Sequence, residues 1–412
     1  MLNCVQLPPL RGRLAEPKTP LTSNCKCSRA ANTSGLRWRE HESKSDAAGQ
    51  PGVRARHRSC KFRLTPTPHP MNHRCQIAMW RSPVASRRVM TFVVATLFVA
   101  TNCLLTGLAG QATAADADGK KQVLMVAGNP SHGFGSHEHY AGVRLLADAI
   151  TSSTDKAEVT VVKGWPTDEQ VAAADTIVIY CDGGRRHVAM EHRDQLRKKL
   201  AKGCGLVCIH YAVEMVPGEP GDDWVEMLGG HFEVHYSVNP HWVAEFKSLP
   251  DHPVSAGVEP FKTDDEWYFY MRFSDEGKVT PILGAVAPED TMRRPDGPHS
   301  GNPHVRKSVA AGEKQTVAWA YDRPDGGRSF GFTGGHYHWN WGNDNQRRLM
   351  ANAILWTAGM DVPKNGFSLG EEKVGVERLL ENQDYNPPKN FNEQQIADKF
   401  KLTSTGAKKK AQ

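Results

Sequence analysis

At 412 residues the chain is long enough for two average domains, and its excess of 51 Lys and Arg over 45 Asp and Glu would point to an anionic partner if it were evenly spread. It is not: residues 1–115 hold 17 of the basic side chains and four of the acidic ones, so the remainder carries a net charge of −7, which removes the argument for nucleic acid. Six of the nine cysteines also precede residue 116, and the three that follow, Cys181, Cys204 and Cys208, lie in or beside apolar runs, a pattern for buried thiols and against a disulfide framework.

Residues 1–78 are rich in Arg, Cys, Ser and Pro with no sustained apolar period, and read as an extension ahead of the working start, at Met71 or Met79, or as a disordered basic arm. Residues 79–114 have the order of a secretory signal: basic Arg81 to Arg88, an apolar stretch to Gly110, and small residues at Ala112 and Ala114. Cutting is expected after Ala114, giving a periplasmic or secreted protein with no stable membrane anchor. About 20 apolar residues could span a bilayer, but Asn102 and Gly107 dilute the run and the polar stretch after it fits cleavage better.

The domain is expected over 115–362. Val123 to Ala127 is a short, wholly apolar strand, followed by a Gly-rich turn and a helix from His137 to Ile150 with Val143, Leu146, Ala147 and Ile150 on one face. Strands at 159–162 and 176–181, a helix at 193–202 and a strand at 205–210 follow. This alternation predicts βαβ units in a doubly wound parallel sheet, α/β in class, with ligands beyond the carboxyl ends of the strands. Those ends are 128–137, 182–187 and 210–214. The second half is irregular and aromatic-rich, with strands expected near 267–273, 316–321 and 329–333 and a helix at 345–358. No GxGxxG or GxxxxGK[ST] indicates a nucleotide cofactor. Residues 363–412 read as a polar, poorly packed tail.

Five segments in order, VLMVAGNPSHGFGSHEHYAG, IVIYCDGG, GLVCIHYAVE, HPVSAGVEPFKTDDEWY and GRSFGFTGGHYHWNWGNDNQRRLMANAILWTAG, resemble the ThuA-like (trehalose utilisation) family, particularly its exported branch common in planctomycete-type bacteria. The resemblance covers nearly all of residues 121–362. It implies a flavodoxin-like fold similar to class I glutamine amidotransferases and a sugar or keto-sugar substrate. In the Cys208-Ile209-His210-Tyr211-Ala212 segment, His210 stands where an amidotransferase has its nucleophilic cysteine, and Cys208 is two residues too early, so glutamine hydrolysis is not expected.

Fourteen of the 18 histidines follow residue 116, many at strand ends. His210, His137 and His336 are the candidate catalytic imidazoles, with Glu214 as a carboxylate partner and Glu138 or Glu266 as alternatives. The same three histidines are the candidate ligands of a divalent metal, ranked below metal-free acid–base chemistry because no HExxH-type spacing is present; no cofactor is certain. His132, Asp182, Gly183, Glu266, Trp339 and Trp341 are the candidate substrate-binding residues, the tryptophans as flat platforms for a sugar ring. His192, His252, His299 and His304 read as packing residues. A non-catalytic carbohydrate-binding or assembly module on the same fold, and a metal-dependent hydrolase or lyase, are the competing readings.

Overall fold

The computed structural model describes residues 119–370 and 373–404; the extension, signal and cleavage site expected at 1–114 lie outside the described residues. In the first half, β1 (Lys121–Ala127), α1 (His139–Ser153), β2 (Ala157–Lys163), α2 (Asp168–Ala173), β3 (Thr176–Tyr180), α3 (Arg193–Leu200), β4 (Gly205–Ile209) and α4 (Glu219–Leu228) follow the expected alternation. The second half contributes β5 (Gly230–His231), β6 (Trp242–Phe246), β7 (Phe261–Asp265), β8 (Arg272–Phe273), β9 (Lys278–Val286), α5 (Pro303–Ala310), β10 (Lys314–Asp322), β11 (Arg328–Phe332) and α6 (Asp344–Thr357), and the chain continues through α7 (Val376–Leu379) and α8 (Glu393–Phe400).

The central sheet has the order β2-β1-β3-β4-β11-β10-β9. Its first five strands are mutually parallel, as expected, and β10 and β9 extend it antiparallel. The central strands β1, β3 and β4 carry unbroken apolar runs because alternate residues enter two different cores, whereas the edge strand β2 is only partly buried. Val123, Met125, Val178, Val207 and Ile209 pack with Val143, Leu146 and Ile150 of α1 and Leu349 and Ile354 of α6. Leu124, Val126, Ile177, Ile179, Leu206 and Cys208 meet Leu196 and Leu200 of α3 and Trp224 and Leu228 of α4.

Two expectations need correction. The strand expected at 267–273 reduces to the two-residue β8, because Trp267, Tyr268 and Phe269 are turned into the cores as separate anchors. The segment after 363 is not poorly packed among the described residues: Phe367, Val376, Leu379 and Ala397 are buried, and Phe391 stacks on Trp339. Cys181, Cys204 and Cys208 are free and buried, as expected. Among the described residues no helix is long and apolar enough to cross a membrane.

Candidate metal centre

Three chain turns beyond the carboxyl ends of β1, β4 and β11 meet above the sheet. The first brings His137 to the start of α1 in a left-handed conformation, φ 49°, and the second places His210 directly after β4, φ 56°. Non-glycine residues seldom adopt such angles, at a cost of roughly 1–3 kcal/mol each, and they persist where the surroundings fix them. At His210 the effect is that of a nucleophile elbow: a buried strand ends abruptly and one side chain is projected into the crevice. That side chain is an imidazole, and it is fully buried.

The third turn carries His336. Asp265, at the end of β7 and itself buried, accepts hydrogen bonds from the Gly335 N–H (2.7 Å), the Tyr337 N–H (3.2 Å) and the Asn340 amide (3.0 Å), so one carboxylate pins the whole loop. The loop is also laced to the His137 turn, with the His137 N–H on the His336 carbonyl at 3.1 Å and the His338 N–H on the Gly135 carbonyl at 3.0 Å. Glu266, next to Asp265, turns the other way and joins the histidines.

His137 Nε2 lies 3.1 Å from His210 Nε2 and 3.1 Å from His336 Nδ1, and Glu266 Oε2 lies 3.2 Å from His336 Nδ1 and 3.6 Å from His210 Nε2. One ligand atom from each of the four falls within 4.8 Å of the others. The outer nitrogens fix the protonation. His137 Nδ1 faces Asp182 Oδ1 at 2.9 Å and His210 Nδ1 faces the Thr333 carbonyl at 2.8 Å. A carboxylate and a carbonyl only accept, so each ring donates from Nδ1 and its Nε2 is bare. Two bare nitrogens thus face each other at 3.1 Å; without an ion, His210 Nε2 can accept from the Tyr268 hydroxyl at 3.3 Å and His137 Nε2 from His336 Nδ1 at 3.1 Å, and a divalent cation between them would take both lone pairs. Ligand atoms around a tetrahedral zinc, at 2.0–2.1 Å from it, stand about 3.3 Å apart. Three imidazoles and a carboxylate fit zinc or a related divalent ion, and the Asp182–His137 bond is the outer support such sites use.

The charges agree. Burial, followed by the neighbouring His137 and His336, holds His210 well below the ordinary imidazole value, and burial with His336 lowers His137 despite the Asp182 bond, so both stay neutral and able to ligate. Burial would lift Glu266, but the bond and charge of His336 and the nearness of His241 and His137 bring it below its usual value; that bond puts a proton on His336 Nδ1, which a metal ion bound there would have to displace. Burial would also lift Asp182, yet hydrogen bonds from His137 and Ser131 and the nearness of His139 bring it down to about 2. Cys208, within β4, is pushed well above the ordinary thiol value by burial, which leaves no thiolate for an amidotransferase step.

Several expected roles change. Trp339 and Trp341 are not sugar platforms: both are buried, Trp339 between Phe134 and Phe391 and Trp341 against Tyr180 and Phe332. Gly183 is needed for packing, since a Cβ there would stand 2.4 Å from the Tyr211 carbonyl oxygen and 2.8 Å from that of Glu214. Asp182 orients His137, and Glu266 is one of the four residues that could hold an ion. Glu214 stands outside that set, paired with His299 at 3.2 Å. Glu138 faces away, accepting from the Gly135 and Asp384 N–H groups. His132 is exposed at the rim, its ring centroid 3.8 Å from that of His137.

Sequence reasoning passed over Ser131, whose hydroxyl donates to Asp182 at 2.7 Å, and His241, exposed at the rim 3.8 Å from Glu266; Tyr268, which it reads only as one of the aromatic residues of a sugar-binding surface, is buried and puts its hydroxyl 3.3 Å from His210 Nε2. The acidic run Asp264-Asp265-Glu266 was the available signal for Asp265. The outer partner of His210 is a backbone oxygen and has no signature.

The family model described as trehalose utilisation (ThuA) matches residues 122–357. Among solved structures the chain is similar to a ThuA-like protein from Bacteroides uniformis (17% identity, 60% of this chain and 96% of that one, TM-score 0.43). It is also similar to a ThuA-like protein from Parabacteroides merdae (12%, 60% and 97%, TM-score 0.38) and to a glutamine amidotransferase from Methylobacillus flagellatus (9%, 66% and 99%, TM-score 0.30). No curated protein matches it.

Proposed function

The chain belongs to the ThuA, or trehalose-utilisation, family, and on that premise we propose that it is an exported, metal-dependent enzyme of sugar breakdown that acts on a disaccharide or its keto-glycoside. The family supports the sugar class, and the leader-like residues 79–114 support export to the periplasm or medium. The observation that carries the chemistry is the convergence of His137, His210, His336 and Glu266, with the two Nε2 atoms deprotonated by their outer partners. This reverses the ranking drawn from sequence, in which metal-free acid–base work stood first. A divalent ion held there would polarise a sugar carbonyl or hydroxyl oxygen. The protein's own part is to keep both imidazoles neutral, to hold Glu266 ionised beside them, and to exclude water by their burial.

The test is metal content and turnover measured together. Asparagine tolerates left-handed backbone better than most residues, so His210→Asn should keep the fold while losing a ligand. We expect divalent metal in the wild type, its loss in His210→Asn, and turnover of keto-disaccharides that chelation abolishes and metal restores. Metal-independent turnover would return the cluster to acid–base chemistry alone. Sugar binding without turnover at full metal occupancy would make the protein a carbohydrate-binding module.

A further inference from the structure

We propose that His299, held by Glu214, is the group that gives a proton to the departing oxygen of a glycoside bound at the metal centre; the proposal rests on the sugar-processing reading above. The two residues come from separate parts of the chain, Glu214 from the end of the elbow after β4 and His299 from the loop between β9 and α5. The Glu214 side chain is 4% exposed, and both its oxygens face one donor, His299 Nε2, at 3.3 and 3.2 Å. A buried carboxylate with a single side-chain partner is costly unless that partner is cationic. The imidazole is a third exposed, and among the described residues its Nδ1 makes no hydrogen bond. One nitrogen is therefore committed to the carboxylate and the other is left for a ligand.

Two separate routes tie this pair to the metal cluster. On one side the His299 ring stacks on Phe232 (centroids 5.2 Å, 22°), Phe232 meets Tyr268 edge-on at 5.2 Å, and the Tyr268 hydroxyl reaches His210. On the other, Asn239 donates its backbone N–H to the His299 carbonyl at 3.0 Å and its side-chain amide to Glu266 Oε1 at 3.1 Å. Neither His299 nor Glu214 touches the four converging atoms, so neither is spent on ligation.

The charged surroundings favour a protonated ring. The Glu214 hydrogen bond raises His299 above the ordinary imidazole value, burial opposes it, the charges of Glu214 and Glu266 add to the rise, and Arg294 subtracts from it. Burial lifts the Glu214 carboxyl, His299 offsets this, and Glu266 adds to it. Tyr211 and Tyr268, the other titratable groups near Glu214, are raised by burial and stay neutral. A protonated imidazole with one free N–H can act as a general acid.

In the step assigned to it, the bond between the ring carbon and the glycosidic oxygen breaks, its electron pair stays on that oxygen, and the Nδ1 proton of His299 joins it, so an alcohol leaves. The carbon left behind takes the oxygen of water or loses the proton of its neighbouring C–H. Either course releases one proton, which returns to His299 through solvent and closes the balance.

Two keto-glucosides test this, one a disaccharide whose alkoxide must be protonated to leave, the other a 4-nitrophenyl glycoside whose phenolate leaves unaided. With metal-loaded protein, His299→Asn should lower kcat on the disaccharide by about 10²–10⁴ and on the nitrophenyl glycoside by less than about tenfold, at unchanged metal content. Glu214→Gln should move the His299 titration, followed by imidazole NMR, to lower pH, and carry the high-pH limb of the disaccharide profile down with it. Equal loss on both glycosides, or loss of metal in His299→Asn, overturns the assignment. If the wild type turns over neither compound, the sugar reading and the general-acid role fall together. An NMR titration unchanged by Glu214→Gln then overturns the dyad as well.

Discussion

Replacing Asp182 by Asn separates its two candidate jobs, orienting a ligand and binding substrate hydroxyls. Its Oδ1 receives His137 Nδ1 at 2.9 Å and Ser131 Oγ at 2.7 Å, and Oδ2 receives Arg186 at 3.0 Å. The carboxyl sits at about 2 in the folded chain, against about 3.9 when unfolded. A depressed acid stabilises above the unfolded value and loses that contribution as pH falls from about 4 toward 2, so at neutral pH the charge contributes about 2 kcal/mol of stability that Asn cannot supply. The metal suffers separately. An amide can turn its NH₂ toward His137 Nδ1, which moves the ring proton to Nε2, where it blocks ligation. Changes to such outer partners typically cost 10- to 100-fold in metal affinity, about 1.4–2.7 kcal/mol. Competition with a chromophoric chelator reads the affinity and urea denaturation at pH 7 reads the stability. If Asp182→Asn binds metal as tightly as the wild type and only KM rises, Asp182 is a substrate contact and the tautomer argument is wrong.

Three further outcomes follow from described contacts. Gly183→Ala should destabilise by roughly 1–3 kcal/mol in denaturant melts, because its Cβ would meet two backbone oxygens that cannot move independently; a neutral result would show that the turn relaxes. His187 and His231 are each lowered to about 4 by burial, against about 6.5 in the unfolded chain, so as pH falls from 6.5 to 4 the unfolded state takes up protons that the folded state refuses. Stability should be flat with respect to these groups above pH 6.5 and fall below it, by roughly 2–3 kcal/mol for each histidine over that window, and His187→Asn should flatten the acid limb of a stability–pH curve. N-terminal sequencing of the exported product should start near Ala115, and peptides from residues 1–70 on the native protein would refute the expected start.

The parallel half of the fold was legible because wholly apolar five-residue strands and amphipathic helices report burial directly. So were His137, His210 and His336, as polar residues at the ends of apolar strands. Their chemistry was harder to read. Metal was ranked second because the candidate ligands come from four segments with no spacing rule, and the feature that favours it, a bare Nε2 on His210, depends on the Thr333 carbonyl 123 residues away. Trp339 and Trp341 sit in a Gly/Asn-rich loop that reads as exposed, and it is covered by residues such as Phe391 and Leu402 whose docking no local pattern announces. His299 looked like a packing residue because its partner, Glu214, is 85 residues distant.

The lacing of the His137 turn to the His336 loop has a consequence for how the protein is made. The two imidazoles are 199 residues apart in the chain, and Glu138, beside the first, is held by the N–H of Asp384, 246 residues later. A growing chain therefore exposes His137, Asp182 and His210 long before the elements that complete the cluster exist, and contacts of such separation form late. On the metal-centre reading, capture of the ion belongs to the finished chain, not the nascent one. On the exported reading the ion would be taken from the compartment where the protein folds, so the metal supply outside the cytoplasm would decide which ion the site receives.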